Sequence, residues 1–215
     1  MGIPGLWKWC FGGDEDLGYV SKKLSIKAAR KEEIIVIDGF CIQSLPALSR
    51  IERSSALFDF AKQTEVIQNF FKAFKKLNYR VVVFFDGCRN RSEMEKWRGR
   101  KKRLAKVYQK IVTTFGGDGS ASIPASEYIE LMLELGVGYR VLTNVCQRSG
   151  VEVFMCEAEV EGVLASWARE NEAFAVIARN SELLIHEISR LIDVSTIEQG
   201  ADGESMTCKC VERSR

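Results

Sequence analysis

The sequence predicts an α/β fold built on a central, mostly parallel sheet flanked by helices. Two apolar runs each end in Asp-Gly: Ile34-Ile35-Val36-Ile37 leads into Asp38-Gly39, and Val81-Val82-Val83-Phe84-Phe85 leads into Asp86-Gly87. A short β-branched or aromatic run stopped by Asp-Gly reads as a strand buried on both faces. Between the two runs lies a helical pattern, so 34–86 reads as strand, irregular and helical crossover, then strand. That is a right-handed βαβ unit, and it makes the sheet parallel at this point.

The remaining elements follow in order. Residues 12–33 are polar, charged and glycine-bearing, and read as a loop plus a short basic helix. The crossover helix is expected over 64–77, with Thr64 as N-cap and Asn78 after the last turn. Val66, Ile67, Phe70, Phe71, Phe74 and Leu77 form its apolar face. Residues 92–112 read as a basic helix weakened by Gly99, and Phe115-Gly-Gly-Asp-Gly-Ser120 as a flexible break. In 126–149 the alternation of Ile129, Leu131, Leu133 and Leu135 is strand-like. Length and Glu content favour a helix interrupted by Gly136 and Gly138. Val151 to Met155 reads as a third strand. A helix follows over 157–169, with Val160, Val163, Leu164 and Trp167 on one face, and then a fourth strand from Phe174 to Ala178. After Asp193 the chain turns polar. One domain over 1–192 and a loosely ordered tail over 193–215 are expected.

With 215 residues the chain is long enough for one sizeable core. Its net charge of +2 says little about partners, but the distribution of charge says more. Between Arg89 and Arg103, eight Lys or Arg stand against Glu93 and Glu95. That segment is +6, which leaves −4 on the rest of the chain. The seven cysteines form no Cys-x-x-Cys, which fits reduced thiols in an intracellular protein, nuclear or cytoplasmic. The N-terminus lacks the pattern of a signal peptide, Leu6 stands where a myristoylation site needs Ser or Thr, and no apolar run approaches transmembrane length.

Three constellations carry chemistry. The first is a set of acids at strand ends: Asp38, Asp86, and Glu157-Ala-Glu159 after the third apolar run. In open parallel sheets these ends line the ligand crevice. Carboxylates gathered there repel one another unless a cation or shared proton compensates. Oxygen ligands suit Mg²⁺ or Mn²⁺ rather than Zn²⁺, and the single histidine, His186, gives little support to histidine chemistry. Two such ions would activate water and stabilise the leaving oxygen of a phosphodiester. On a regular helix Glu157 shares a face with Glu161, so Glu157 and Glu159 converge only if Glu157 lies at or before the first turn. Taken singly, an Asp-Gly after a strand is equally a turn signal. The second constellation is the basic segment itself, suited to neutralising phosphates but also to a solvated surface helix. The third is the N-terminus, where Trp7, Trp9 and Phe11 either stack on bases or anchor the end to the core.

Together these residues resemble the flap endonuclease/XPG superfamily of PIN-like nucleases. Met-Gly-Ile-x-Gly-Leu at the start, Ile-Asp38-Gly, Phe-Phe-Asp86-Gly followed by a basic stretch, and Glu157-Ala-Glu159 occur in that order. Val-Ile-Asp38-Gly39-Phe40, the Phe70-Phe71 helix, the Asp86-Gly87-Cys88 turn and the Phe115–Ser120 segment resemble its asteroid branch. The likeness covers roughly residues 1–190. It implies a Rossmann-like PIN domain and a two-metal site cleaving DNA of single-stranded or branched character. By position, Asp38, Asp86, Glu157 and Glu159 match the acids of the first metal. The family's catalytic basic residues on the helix after the second aspartate map near Lys96 and Arg100, and Gly2 matches a processed N-terminus beside the site. Arg89, Arg91, Arg98, Lys101, Lys102 and Arg103 complete the implied nucleic-acid-binding surface. The second metal would fall to Asn180-Ser181-Glu182, where the family has Asp-x-Asp. A neutral amide and a side chain longer by one methylene would hold that ion weakly. A catalytically degenerate module that binds nucleic acid or a protein partner is therefore the alternative function. A nucleotide-binding domain is disfavoured, because the chain has no Gly-x-Gly-x-x-Gly or P-loop.

Overall fold

The computed structural model describes residues 6–12, 19–49, 60–87, 137–157, 159–200 and 204–213, with scattered positions between 94 and 113. In chain order its elements are α1 (Leu6–Gly12), β1 (Tyr19–Lys27), β2 (Glu33–Asp38), a 3₁₀ turn over Gly39–Ser44, α2 (Pro46–Ser49), α3 (Phe60–Lys76) and β3 (Tyr79–Phe85). There follow α4 (Val137–Arg148), β4 (Glu152–Met155), α5 (Val160–Glu170), β5 (Ala175–Ala178), β6 (Arg190–Asp193), β7 (Glu198–Gln199) and β8 (Ser205–Arg213).

One mixed sheet organises these elements, in the order β1-β8-β6-β5-β2-β3-β4, with β7 also on β8. Its five central strands are parallel, and β8 runs antiparallel to both β6 and β1. From β2 the chain steps outward through β3 to β4, then returns to place β5 on the other side of β2. The strand order therefore reverses between β2 and β5, which is where an open α/β sheet leaves a crevice at its carboxyl ends.

The central strands are apolar throughout because each has a core on both faces. Ile35, Ile37, Val81, Val83 and Phe85 point into one core, closed by Phe70, Phe71 and Phe74 of α3 and by Leu142, Val145 and Cys146 of α4. Val36, Val82, Phe84, Val176 and Ala178 point into the other, closed by Cys10 of α1 and by Val160, Leu164 and Ala168 of α5. Successive residues of one strand thus alternate between two dry layers. All six described cysteines are free and buried. No helix among the described residues is long and apolar enough to cross a membrane.

Several expectations are corrected. The short basic helix expected within 12–33 is the nine-residue strand β1, fully paired with β8. Its lysines flank Leu24 and Ile26, and that period-2 pattern was masked by charge. The loose tail expected over 193–215 contains β8, whose Met206, Cys208, Cys210 and Val211 are buried. Two strands distant in sequence each satisfy the other, which local composition cannot reveal. Thr64 lies inside α3 rather than capping it, since the helix already runs from Phe60. Helix α5 begins at Val160 rather than 157, and Val163 is 49 % exposed while Ala165 and Ala168 are buried, so its buried face is rotated from the one expected. Gly138 lies within α4 instead of interrupting a helix, and 126–136 lie outside the described residues. Asn78 does end α3, in the left-handed conformation (φ 64°) that asparagine tolerates.

The glycines of the two Asp-Gly pairs are required by packing rather than by turn geometry. Neither has a positive φ. A Cβ on Gly87 would lie 1.5 Å from the backbone oxygen of Cys156, and one on Gly39 would lie 2.2 Å from the fully buried Phe85 ring. These close approaches let the ends of β2, β3 and β4 meet. Gly87→Ala must displace backbone and is expected to destabilise the fold by about 1–3 kcal/mol or more. Gly99→Ala, which meets no atom within 4 Å, should be neutral or slightly stabilising in a helical position. Thermal unfolding of the two variants measures the contrast.

Candidate active site

Parallel strands deliver their last residues to one rim, and there the sequence places acids. Asp38 ends β2, Asp86 follows β3, and Asp193 ends β6. Asn180 follows β5 and caps the 3₁₀ turn Ser181–His186. Across the rim, Asp38 registers with Phe84 on β3, and Ala178 with Asp193 on β6.

Each carboxylate is held by backbone. Asp38 is only 8 % exposed, and its Oδ1 accepts the Phe40 N–H at 3.1 Å, capping the 3₁₀ turn Gly39–Ser44. Its other oxygen accepts no hydrogen bond among the described residues. Asp86 Oδ1 accepts the Val160 N–H at 2.9 Å. Glu159, in the N-cap position of α5, makes no side-chain cap bond, so Asp86 serves the start of that helix across 74 residues of chain. An anion at a helix N-terminus is favoured by the unsatisfied N–H groups there.

The acids feel one another. Burial drives the Asp38 carboxyl up to about 7, the Phe40 bond opposes that, and the fields of Asp86 and Glu161 add to the rise. Burial, Asp86 and Glu161 also push up the Cys156 thiol. Burial holds the Cys41 thiol well above its usual value, helped by Asp38 and Asp193 and opposed by Arg179. The Cys41 thiol donates to the Ile177 carbonyl, so it is a neutral packing group rather than a nucleophile.

Of the sequence candidates, Asp38 and Asp86 come together. Glu157 and Glu159 are exposed ahead of α5, and the acid whose field reaches Asp38 is Glu161, one residue inside that helix. The shared face of Glu157 and Glu161 was its signal. Asn180 uses both ends of its amide: Nδ2 donates to Glu161 Oε1, and Oδ1 accepts the Glu182 N–H at 3.1 Å. Glu182 is half-buried. Asp193 was missed altogether, although Leu191-Ile192-Asp193 repeats the strand-then-Asp pattern without the glycine. Its Oδ1 accepts the Ser195 N–H and hydroxyl, and its Oδ2 accepts Trp7 Nε1 at 3.3 Å. Trp7 stacks on Phe11 at 4.5 Å, so these two aromatics anchor α1 to the core, while the Trp9 side chain lies outside the described residues. Of the basic segment, Arg98, Lys102 and Arg103 are exposed and Lys101 is half-buried. Gly2, Arg89, Arg91, Lys96 and Arg100 lie outside the described residues.

Whether this rim suits a cation depends on its donors. Among the described residues, no three His, Cys, Asp or Glu side chains are already gathered around one point at ligand distance. The acids that act on Asp38 are the oxygen donors Asp86 and Glu161, a chemistry that suits a hard divalent ion, while the nearby thiols of Cys41 and Cys156 are held neutral by burial. The position expected of a second ion fits less well, because both polar ends of Asn180 are engaged. A cavity of about 230 Å³, lined by Arg169, Glu172, Glu187 and Arg190, lies at the starts of β5 and β6, the opposite edge from the rim.

No known family profile matches the chain, and no curated protein matches it in sequence. Solved structures do match its fold. The catalytic core of Rad2 aligns with a TM-score of 0.50 at 11 % identity, over 97 % of this chain and 50 % of that one. The Holliday junction-resolving enzyme GEN1, in complex with product DNA and a Mg²⁺ ion, aligns with a TM-score of 0.52 at 11 % identity, over 97 % and 39 %. A eukaryotic junction-resolving enzyme GEN-1 binding with cesium gives 0.53 at 12 %, over 97 % and 38 %. The chain spans half or less of each of these proteins. The chain thus shares its fold with these proteins, with the mostly parallel sheet and flanking helices that the sequence implied.

Two outcomes follow from the rim's geometry. Asp86→Ala removes the acceptor for Val160 N–H and should lower stability by about 1–2 kcal/mol, as for a lost cap. Asp86→Asn keeps an oxygen there and removes the charge facing Asp38. In metal-free buffer it should be as stable as the parent or more so, which denaturant titration will show. The second outcome concerns pH. A free Asp titrates near 3.9. Between about pH 4 and pH 7 the folded chain holds a proton on Asp38 that the unfolded chain has released. This group's contribution to stability therefore falls as pH rises through that window and levels off above it. Asp38→Asn should flatten that slope in metal-free denaturation curves.

Proposed function

We propose that this chain is a divalent-metal-dependent, structure-specific nuclease that hydrolyses phosphodiesters at DNA ends, flaps or overhangs, in the manner of the asteroid branch. The observation that carries this reading is the buried carboxyl of Asp38 at the switch point of the sheet, with Asp86 and Glu161 close enough for their charges to act on it. The fold likeness to Rad2 and GEN1 supports it.

Asp38 and Asp86 would hold Mg²⁺ or Mn²⁺, with Glu161 nearest and Glu157 and Glu159 at the entrance to the rim. A divalent ion there would supply Lewis acidity to activate water and charge to stabilise the transition state of phosphodiester hydrolysis. The chain's own part is positioning. Backbone N–H groups fix both aspartates, and the two Asp-Gly glycines let the strand ends approach. Lys96 and Arg100 would neutralise the scissile phosphate, and Arg89, Arg91, Arg98, Lys101, Lys102 and Arg103 its neighbours along the strand. A second ion would fall to Asn180 and Glu182 and be weakly held, because it competes with the bonds Asn180 already makes. Those same bonds favour the second reading, a PIN-like module that binds DNA or a protein partner without cutting it.

Cleavage of 3′-overhang, 5′-flap and single-stranded DNA in Mg²⁺ and Mn²⁺ distinguishes the two. The nuclease reading expects cutting that Asp86→Asn lowers by at least about 10²-fold, given the effect of misplaced catalytic groups. It also expects Mn²⁺ to raise the unfolding temperature of the parent protein more than that of Asp86→Asn. DNA binding without cutting, with no Mn²⁺ stabilisation, leaves the binding module.

A further inference from the structure

The sheet register extends the rim beyond the acids. From Asp38, which pairs with the Phe84 row, the same row passes through Ala178 and Asp193. Pairing of Ile192 with Cys210 carries it, one step on, to Lys209, which faces Lys23 directly across the β8–β1 ladder. The face is fixed by the neighbours of these lysines. Leu24, Ile26, Met206, Cys208 and Cys210 pack on the α3 side of the sheet. Val211 packs on the α1 side, and opposite it Ser21 donates to the Phe11 carbonyl of α1. Lys23 and Lys209 alternate with the first set, so they share the face of α1 and of the acid rim.

Two ammonium groups on directly opposed residues of an antiparallel pair repel each other. Both lysines are exposed, and neither makes an ion pair among the described residues. Lys22, on the other face, is by contrast paired with Glu212. Hydroxyls border the pair, at Ser25 and Thr207 on the next row. Glu198, opposite Thr207, pairs with neither lysine. Strand spacing of about 4.8 Å puts Lys209 three steps and Lys23 four steps from Asp38, about 14 and 19 Å along the rim. For a duplex whose axis follows the rim, at about 3.4 Å of axis per phosphate of one strand, that is a reach of roughly four to six phosphates.

We infer that Lys23 and Lys209 form a ledge that binds the phosphate backbone of a DNA strand whose reactive bond lies at Asp38 and Asp86. The ledge deepens the nuclease reading and rests on it. It is separate from the basic segment 89–103, which follows β3 on the other side of β2.

Binding of a fluorescent 3′-overhang duplex to the full chain is measured across a salt series in EDTA, so that neither metal nor cutting enters. For Lys23→Gln with Lys209→Gln, the slope of log affinity against log salt should shrink by about 1–2, at about 0.9 per lost phosphate contact. Lys23→Arg with Lys209→Arg should retain the parent slope, and so should Lys22→Gln. Lys209→Gln alone, with an expected change of about 1, serves if the double variant does not fold. A parent-like slope in the Gln variants overturns the ledge and leaves the nuclease reading standing. A parent protein that binds no DNA overturns both.

Discussion

The structure is organised around the difficulty of keeping charge at the end of a buried central strand. Asp38 closes β2, a central strand with parallel partners on both sides, and is nearly enclosed. A carboxylate in that position is costly to ionise, and two further acids face it. Hydrophobic packing alone would select a neutral residue there. An acid at this point makes structural sense when something positively charged shares the site, and the single backbone N–H that Asp38 accepts offsets only part of the penalty. The neighbouring elements are arranged in response. Asp86 is turned to the N-terminus of α5, whose exposed N–H groups welcome an anion. Asp193 is consumed by Ser195 and Trp7 and anchors α1 instead of adding a bare charge.

The same rim explains both glycines. In a hairpin, Asp-Gly would serve the left-handed backbone of the turn. Here the glycines mark contact between layers: Gly87 lies against the backbone after β4, and Gly39 against the face of Phe85. Removing two side chains allows three strand ends to crowd together, and that crowding brings Asp38 and Asp86 within each other's field. The packing constraint and the electrostatic constraint therefore have one origin.

Legibility in the sequence followed locality. Strands β2 and β3 and the face of α3 were evident because each carries its own periodic signal: unbroken apolar runs for strands with two dry faces, and the i, i+3, i+4 spacing of Ile67, Phe70, Phe71 and Phe74 for the helix. Strands β1 and β8 were not, because each is half polar and makes sense only beside the other, about 180 residues away. At the site, Asp38 and Asp86 were visible as strand-ending acids. Glu161 was hidden by the start of α5, since whether Glu157, Glu159 or Glu161 turns inward depends on where that helix begins. The start is set by Asp86 across the sheet, a tertiary contact that no local pattern encodes.

Asn180 shows how one atom changes what such a rim can do. An aspartate there would put a further negative charge beside Glu161, and the pair would separate unless an ion lay between them. The amide instead donates to Glu161 and accepts from Glu182, so this part of the rim holds together without a cation. The consequence is asymmetric. On the Asp38 side one carboxylate oxygen accepts no hydrogen bond among the described residues, whereas the Asn180 amide is engaged at both ends. Two ions flanking a phosphodiester stabilise the attacking and leaving oxygens from opposite sides, and a single ion serves only one of them. On the proposed nuclease reading, the burden of neutralising the departing strand would therefore shift from metal to protein cations. On that reading the basic segment after Asp86 and the proposed ledge of Lys23 and Lys209 would carry more of that charge than at a rim closed by a full set of acids.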